Sequence, residues 1–367
     1  MKVRYSYLPQ QFEECEDLWD QLKQLVSEGN FTLGKPLEEF EANFAKLIGT
    51  KFAIGVNSGT DAIKLSLKAL GIGPGDEVIT AANTFVATVG AIAEVGATPI
   101  LVDCDDTFCM NVDLVEDQIS EKTKAIVPVH FTGYMTDMRK LRPLADQYNL
   151  LVVEDACQSI LGAIEGRNAG TWGQCGAFSL HPLKNINVWS DGGIIVTDDE
   201  KIASKLRLIR NHGLLDRDTV LSLGYNSRLD TIQAVVGNWL LPQAEYICNQ
   251  RIKNAEYYDH FLSQIEQIRI PPRPELYKIV YHLYIVFAEN RDQLLNFCIE
   301  REIEAKIHYP VPIYLQPALR HLNFRKGDFP VTDSHAKQII TFPCDQHLEL
   351  DQIDYVIKTV SEFYDQQ

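Results

Sequence analysis

Asp155 closes the apolar run LLVVEDACQS (150–159), where a buried strand would deliver a carboxylate to a ligand cleft. Such a carboxylate can pair with a protonated ring nitrogen and keep a heteroaromatic ring electron-withdrawing. The same acid also reads as a cap on the following turn. Further on, AFSLHPLKNINVWSDGGIIVTDD (177–199) places Lys184 in a polar loop between two apolar segments. Desolvation and cationic neighbours free the amine of a cleft lysine, which could then form an imine with an aldehyde cofactor and carry protons. Standing alone, a loop lysine is usually a solvated surface charge. In AIGVNSGTDAI (53–63) a strand passes through small polar residues into a helix. The amides of Gly59 and Thr60 would face an anion there, with the hydroxyls of Ser58, Thr60 and Ser179 beside them. The glycine spacing matches neither a P-loop nor a dinucleotide fingerprint, so an ordinary capped helix fits as well. Phe85, in NTFVA (83–87), could stack on a planar ring or belong to the core.

These residues need a scaffold, and residues 45–240 supply its pattern by alternating short β-branched runs with amphipathic stretches. Candidate strands are 52–56, 78–81, 99–102, 125–129, 150–154 and 193–197. Between the first two, Ile63, Leu67 and Leu70 share one helical face before a Gly/Pro stretch. The strands are nearly continuous apolar runs, which predicts a largely parallel sheet covered on both faces, with its ligand at the carboxyl ends of the strands. After Pro242 the pattern changes to a long polar helix (243–267), a strand-like run (281–288) and helices near 291–301 and 351–364. The expected division is a large domain, 1–242, and a smaller α+β domain, 243–367, with residues 1–30 free to pack on either.

With 46% hydrophobic residues the chain can bury a sizeable core. No stretch reaches the roughly 20 apolar residues of a membrane span, and the N-terminus lacks a signal-peptide run, so a soluble cytoplasmic protein is expected. A formal charge of −16 disfavours nucleic acid and anionic membranes, which need a basic surface. It does not exclude a small phosphorylated ligand held by local amides. The eight cysteines are dispersed without zinc spacing, so no metal site is expected and the thiols read as reduced structural groups.

In their order, several segments resemble the DegT/DnrJ/StrS sugar aminotransferases, which are fold type I pyridoxal-phosphate enzymes. They are FTLGKPLEEFEANFAKLIG (31–49), VNSGTDAIKLSLKALGIGPGDEVI (56–79), VEDACQS (153–159), HPLKN (181–185), NHG (211–213), YNSRLD (225–230) and IHYPVPIYLQP (307–317). The resemblance implies an aspartate-aminotransferase-like fold, a three-layer α/β domain with a smaller α+β domain. It also implies pyridoxal 5'-phosphate as cofactor, held covalently by Lys184, with Asp155 on the pyridine nitrogen and Gln158 on the ring hydroxyl. Phe85 would stack on the ring, and Ser58, Gly59, Thr60 and Ser179 would hold the phosphate. Asn226 would reach the phosphate of the neighbouring subunit in a homodimer. Arg228 would meet a substrate or donor carboxylate, and His130 and His308 would approach the substrate.

By the same resemblance, glutamate donates the amino group and leaves as 2-oxoglutarate. A nucleotide-linked keto-sugar then takes up the amine, and Lys184 carries the proton in both half-reactions. The setting would be amino-sugar synthesis for polysaccharide or lipopolysaccharide. IHYPVPIYLQP resembles 3-aminating members more than 4-aminating ones, so amination at C3 is expected. The alternatives are a 4-keto-sugar or keto-cyclitol substrate, or a non-catalytic regulatory relative. A sugar 3-dehydratase would carry histidine at position 184, where this chain has lysine.

Overall fold

The computed structural model describes residues 1–366. The chain opens with α1 (Leu8–Gln11), α2 (Glu16–Glu28) and α3 (Lys35–Ile48). Then β1 (Phe52–Val56), α4 (Gly59–Ala69), β2 (Glu77–Ala81), α5 (Val86–Glu94) and β3 (Thr98–Val102) build the first crossovers. They are followed by β4 (Thr123–Val127), α6 (Met138–Gln147), β5 (Leu151–Asp155) and the short pair β6 (Ala163–Ile164) and β7 (Arg167–Asn168). β8 (Cys175–Ser179), β9 (Gly193–Thr197), α7 (Glu200–Ile209), α8 (Thr231–Leu240) and α9 (Ala244–Leu262) come next. The last part holds β10 (Ile268–Arg269), β11 (Tyr277–Lys278), β12 (Tyr284–Ala288), α10 (Arg291–Glu300), α11 (Pro330–Gln338), β13 (Ile339–Phe342) and α12 (Leu350–Asp365).

Seven strands form the central sheet in the order β1-β9-β8-β5-β4-β2-β3. Its neighbours pair in parallel except around β9, which runs against both β1 and β8. All six strands read from the sequence are present within a residue or two. β8 was not anticipated, because CGAFS carries small residues in place of the β-branched run that marks its neighbours.

Alternation along each strand feeds two cores. Ile54, Val56, Val153 and Ile195 pack with Ile63 and Leu67 of α4, Ile92 of α5 and Leu206 of α7. Ala53, Val152, Ile194 and Val196 turn to the other side, where Phe40 and Phe44 of α3, Leu141 of α6 and Val236 of α8 lie. Strands covered on both faces must be apolar at every position, which is why they read as runs. The result is a three-layer α/β architecture.

The C-terminal segment builds an antiparallel sheet, β10-β12-β13, packed with α9, α10 and α12. It is stitched to the first part, since β11 pairs with β6, and Val280 and Leu283 donate their amides to the carbonyls of Gly133 and Thr132. A Cβ on Gly133 would meet the Tyr281 nitrogen at 2.7 Å, so this close crossing needs glycine. The N-terminal residues divide. Val3 and Tyr5 bond to Glu302 and Glu304, whereas α2 packs on α8. Among the described residues no helix is long and apolar enough to cross a membrane.

Candidate active site

Four parallel strands end at one edge of the sheet, and the candidate residues stand in the loops just beyond them. A cleft of about 360 Å³ opens there, a volume suited to a small ligand. After β1, Ser58 caps α4. Its hydroxyl accepts from the Asp61 amide and its carbonyl from the Ala62 amide, so the first helix amides, of Gly59 and Thr60, have no intrahelical acceptor. They present a cradle for an anion at the positive end of the helix. A Cβ on Gly59 would lie 2.7 Å from Ser179 Cβ and 2.8 Å from Cys157 Sγ, so the wall on that side admits only backbone. Ser179, at the end of β8, joins from the opposite side, its Oγ accepting from the His181 amide.

Asp155 ends β5 and is nearly buried at 6% exposure. Thr88 of α5 donates its hydroxyl to Oδ2 (2.7 Å) and the Cys157 amide donates to Oδ1 (3.2 Å), which aims the carboxylate while leaving lone pairs over. Gln158 follows in the same turn, its Oε1 held by the Thr132 amide at 2.8 Å. Phe85 precedes α5 and is 51% exposed on the cleft wall, which rules out the core reading of this residue.

Lys184 reaches the cleft from the β8–β9 loop, tied down by the Lys184 amide to His181 carbonyl bond and by Asn187 on the Lys184 carbonyl. Burial holds its ammonium below the ordinary lysine range, against the opposing pull of Cys157 and Asp155. The side chain can therefore supply a free amine. His308 lines the same cleft, with Nδ1 at 2.9 Å from Thr341 Oγ1, and burial together with Lys306 and Lys184 lowers its pKa to about 4.

Three expected site residues lie elsewhere in this chain. His130 does not line the cleft. It is wholly buried, Nε2 sits 2.8 Å from Glu154 Oε2, and Nδ1 accepts from the Thr136 amide, so both ring nitrogens serve the interior. Arg228 turns its guanidinium to Asn211 Oδ1 at 3.0 Å and does not line the cleft. Asn226 is exposed and likewise outside it, bridged to Asn211 beside the Ser227–Asp61 hydrogen bond that anchors this segment to α4.

Other cleft residues went unread in the sequence. His282 places Nε2 3.5 Å from Lys184 Nζ, and His181, Lys306, Tyr5 and Tyr309 complete the wall. The signal for His282 was available, because it is the one imidazole inside the otherwise apolar run VYHLYIVFA (280–288).

An anion cradle, an aromatic wall, a strand-end carboxylate and a low-pKa lysine in one cleft fit a phosphorylated heteroaromatic aldehyde. Comparison with known proteins agrees. The model of the DegT/DnrJ/EryC1/StrS aminotransferase family matches residues 13–361. A Streptomyces venezuelae protein named dTDP-3-amino-3,4,6-trideoxy-alpha-D-glucose transaminase is 38% identical over 364 residues, 99% of this chain and 96% of the relative. A Geobacillus stearothermophilus protein named a pleiotropic regulatory protein is 37% identical over 368 residues, 99% of each chain. The crystal structure of S. venezuelae DesV in complex with a ketimine intermediate superposes with a TM-score of 0.96 at 37% identity, covering 99% of this chain and 98% of that one. The chain is thus a sugar aminotransferase with pyridoxal 5'-phosphate as its cofactor, and it belongs to the DegT/DnrJ/EryC1/StrS aminotransferase family.

Proposed function

We propose that this enzyme moves the amino group of L-glutamate to C3 of a nucleotide-linked keto-sugar. The observation that carries the reading is the meeting of Lys184, Asp155 and the amides at the start of α4 in one cleft, with Lys306 among its lining residues. Lys306 has no carboxylate within ion-pair distance among the described residues, and its Nζ lies 4.0 Å above the Tyr5 ring. In a chain of charge −16, an unpaired ammonium held in a cleft favours an anionic substrate such as a sugar diphosphate. Placement at C3 is supported by the S. venezuelae relative, whose name is that of a 3-amino-sugar transaminase.

Pyridoxal phosphate, when bound, supplies the aldehyde that takes up the amino group and a ring that draws electrons from the breaking C–H bond. The chain's own residues do the rest. Gly59 and Thr60 amides, with Ser58 and Ser179 hydroxyls, would hold the cofactor's phosphate, and Phe85 would lie against its ring. Asp155 would pair with the ring nitrogen, and Gln158, its carbonyl fixed by Thr132, would offer its amide N–H to the ring hydroxyl. Lys184 would hold the aldehyde carbon and, once its amine is free, would take the proton from the donor α-carbon at Nζ and return it later. The same lysine serves the sugar half-reaction in reverse. His308 and Lys306 face the sugar.

We further take the enzyme to be a homodimer, with Asn226 and Arg228 serving the neighbouring cleft. The hairpin before them (213–225) carries Leu215, Val220, Leu221 and Leu223, all exposed and Leu223 at 93%, an apolar surface that a second copy would cover. Residues 1–242 and 243–367 are read as its two domains, and the cytoplasm as its compartment.

Incubation with glutamate and a panel of 3-keto and 4-keto nucleotide sugars, followed by NMR location of the new amine, tests the substrate. Product from 3-keto sugars alone is expected, and product only from 4-keto sugars refutes the C3 reading.

A further inference from the structure

Lys184 has a neighbour that the family resemblance did not bring forward. His282 stands at the head of β12, and the backbone bonds of Val280 to Gly133 and of Leu283 to Thr132 fasten the chain on either side of it. The imidazole is thus delivered to the cleft by the C-terminal segment, while Lys184 arrives on the β8–β9 loop. Nε2 lies 3.5 Å from Lys184 Nζ. Nδ1 is buried and has no hydrogen-bond partner among the described residues. An unpaired buried nitrogen is a standing cost that an apolar residue of similar volume would avoid. The compensating role must then lie with the other nitrogen.

The surroundings settle the form of the ring. Burial disfavours its protonation first, and Lys184, Arg251, His308 and His181 reinforce this, so the imidazole is neutral. A neutral ring can accept a hydrogen bond from the lysine, where an imidazolium would repel it. Lysine has a flexible four-carbon stem, and once its amine is not covalently engaged nothing in the stem aims it.

We propose that His282 is a positioning residue for Lys184, its Nε2 accepting a hydrogen bond from Nζ whenever the amine is free and so aiming the amine at the carbon whose proton it moves. The proposal rests on Lys184 being the cofactor lysine, and the test separates the two claims.

His282→Leu removes the acceptor at similar volume, and His282→Gln retains a polar group able to reach Nζ. The half-reaction with L-glutamate, protiated or deuterated at the α-carbon, is followed in each holoenzyme by cofactor absorbance. In the cofactor-free proteins, labelling of Lys184 by an amine-acylating reagent is followed against pH by mass spectrometry. The groups facing Nζ in that titration are Asp155 and Cys157 from β5 and its turn, His181 from the lysine's own loop, His282 from the segment just before β12, and His308.

His282→Leu is expected to slow the half-reaction about 10- to 100-fold, the worth of one hydrogen bond to a group that becomes charged as it takes up the proton. The half-saturating glutamate concentration stays within about threefold, because the residue acts on the proton step and not on binding. The α-deuterium effect should grow. The labelling midpoint should fall, since the ammonium loses an acceptor, and His282→Gln should recover most of both changes. An unchanged rate or midpoint in His282→Leu, or equal impairment of the two variants, overturns the proposal. A Lys184→Ala enzyme that keeps its half-reaction rate would instead overturn the underlying assignment of the lysine.

Discussion

Glu154 and Asp155 are consecutive residues at the end of β5, and the period of a strand sends them to opposite faces. Glu154 is wholly buried and saturated. Its Oε2 takes His130 Nε2 and the Gly170 amide, and its Oε1 takes the amides of Trp172 and Gly173, at 2.6–2.9 Å. Four donors fill the capacity of a carboxylate. Asp155 takes two and faces a cavity with the rest. The same contrast divides two histidines, since His130 has both nitrogens engaged inside the fold while His282 has one beside Lys184 and one unpaired. A buried ionisable group with every site filled is architecture, and one left with capacity at a cavity is available to a ligand.

Substitutions should split along this line. The largest effect belongs to Lys184→Ala, expected to lower transamination by about 10⁴-fold or more with little change in melting temperature, because proton transfer and the covalent anchor vanish together. Paired assays of turnover and thermal unfolding check it. Asp155→Asn should lower kcat by about 10²- to 10³-fold, within the range for a misplaced acid–base group, and leave stability nearly untouched. Glu154→Gln should do the opposite. Its amide N–H would confront backbone N–H donors and strand His130, at a cost of about 3–5 kcal/mol read from urea unfolding. If Glu154→Gln lost activity at full stability, the division between the two faces would fail.

Lys306→Gln is a smaller change at the cleft mouth. Loss of one charge-assisted contact should raise KM for the sugar substrate by about 10-fold while the glutamate half-reaction keeps its rate. Steady-state kinetics with each substrate varied in turn would show it, and an effect on glutamate alone would move the anion site to the donor.

A last effect crosses the dividing line. Burial, with cationic neighbours, lowers the pKa of His308 in the cleft from 6.5 to about 4, and burial lowers that of His335, away from it, to about 4 as well. Between those values the unfolded chain binds protons that the folded one refuses, so stability should fall as pH drops from 6.5 towards 4 and level off below. Urea midpoints at pH 7 and pH 5 measure the slope. His335→Gln should make it shallower, leaving the share of His308, without touching turnover.

Much of the molecule was legible before folding. Apolar runs located six strands of the central sheet, because burial on both faces leaves no polar position to interrupt them. Lys184, Asp155, Gly59, Thr60 and Phe85 are candidates by their places beside those runs and are singled out by the family resemblance, and all five line one cleft. Other features were hidden. The small residues of β8 carry no strand signal, and nothing local marks β9 as the strand that runs backwards. His130 is a candidate through the family resemblance alone, and a histidine three residues past a strand looks the same whether it faces a cleft or a buried glutamate. Arg228 bonds to Asn211 and does not line this chain's own cleft, a direction that spacing along a strand or helix does not encode.

Residue type and order alone determined the chemistry available to this protein, an amine, a carboxylate and an anion cradle carried on the strand ends of an α/β sheet, since these follow from periodicity and local backbone geometry. Only the tertiary structure decided which groups are saturated and which are left open. It set His130 against Glu154 and His282 against Lys184, because those pairs join segments distant in the chain, and long-range packing chooses among contacts that local sequence leaves equivalent.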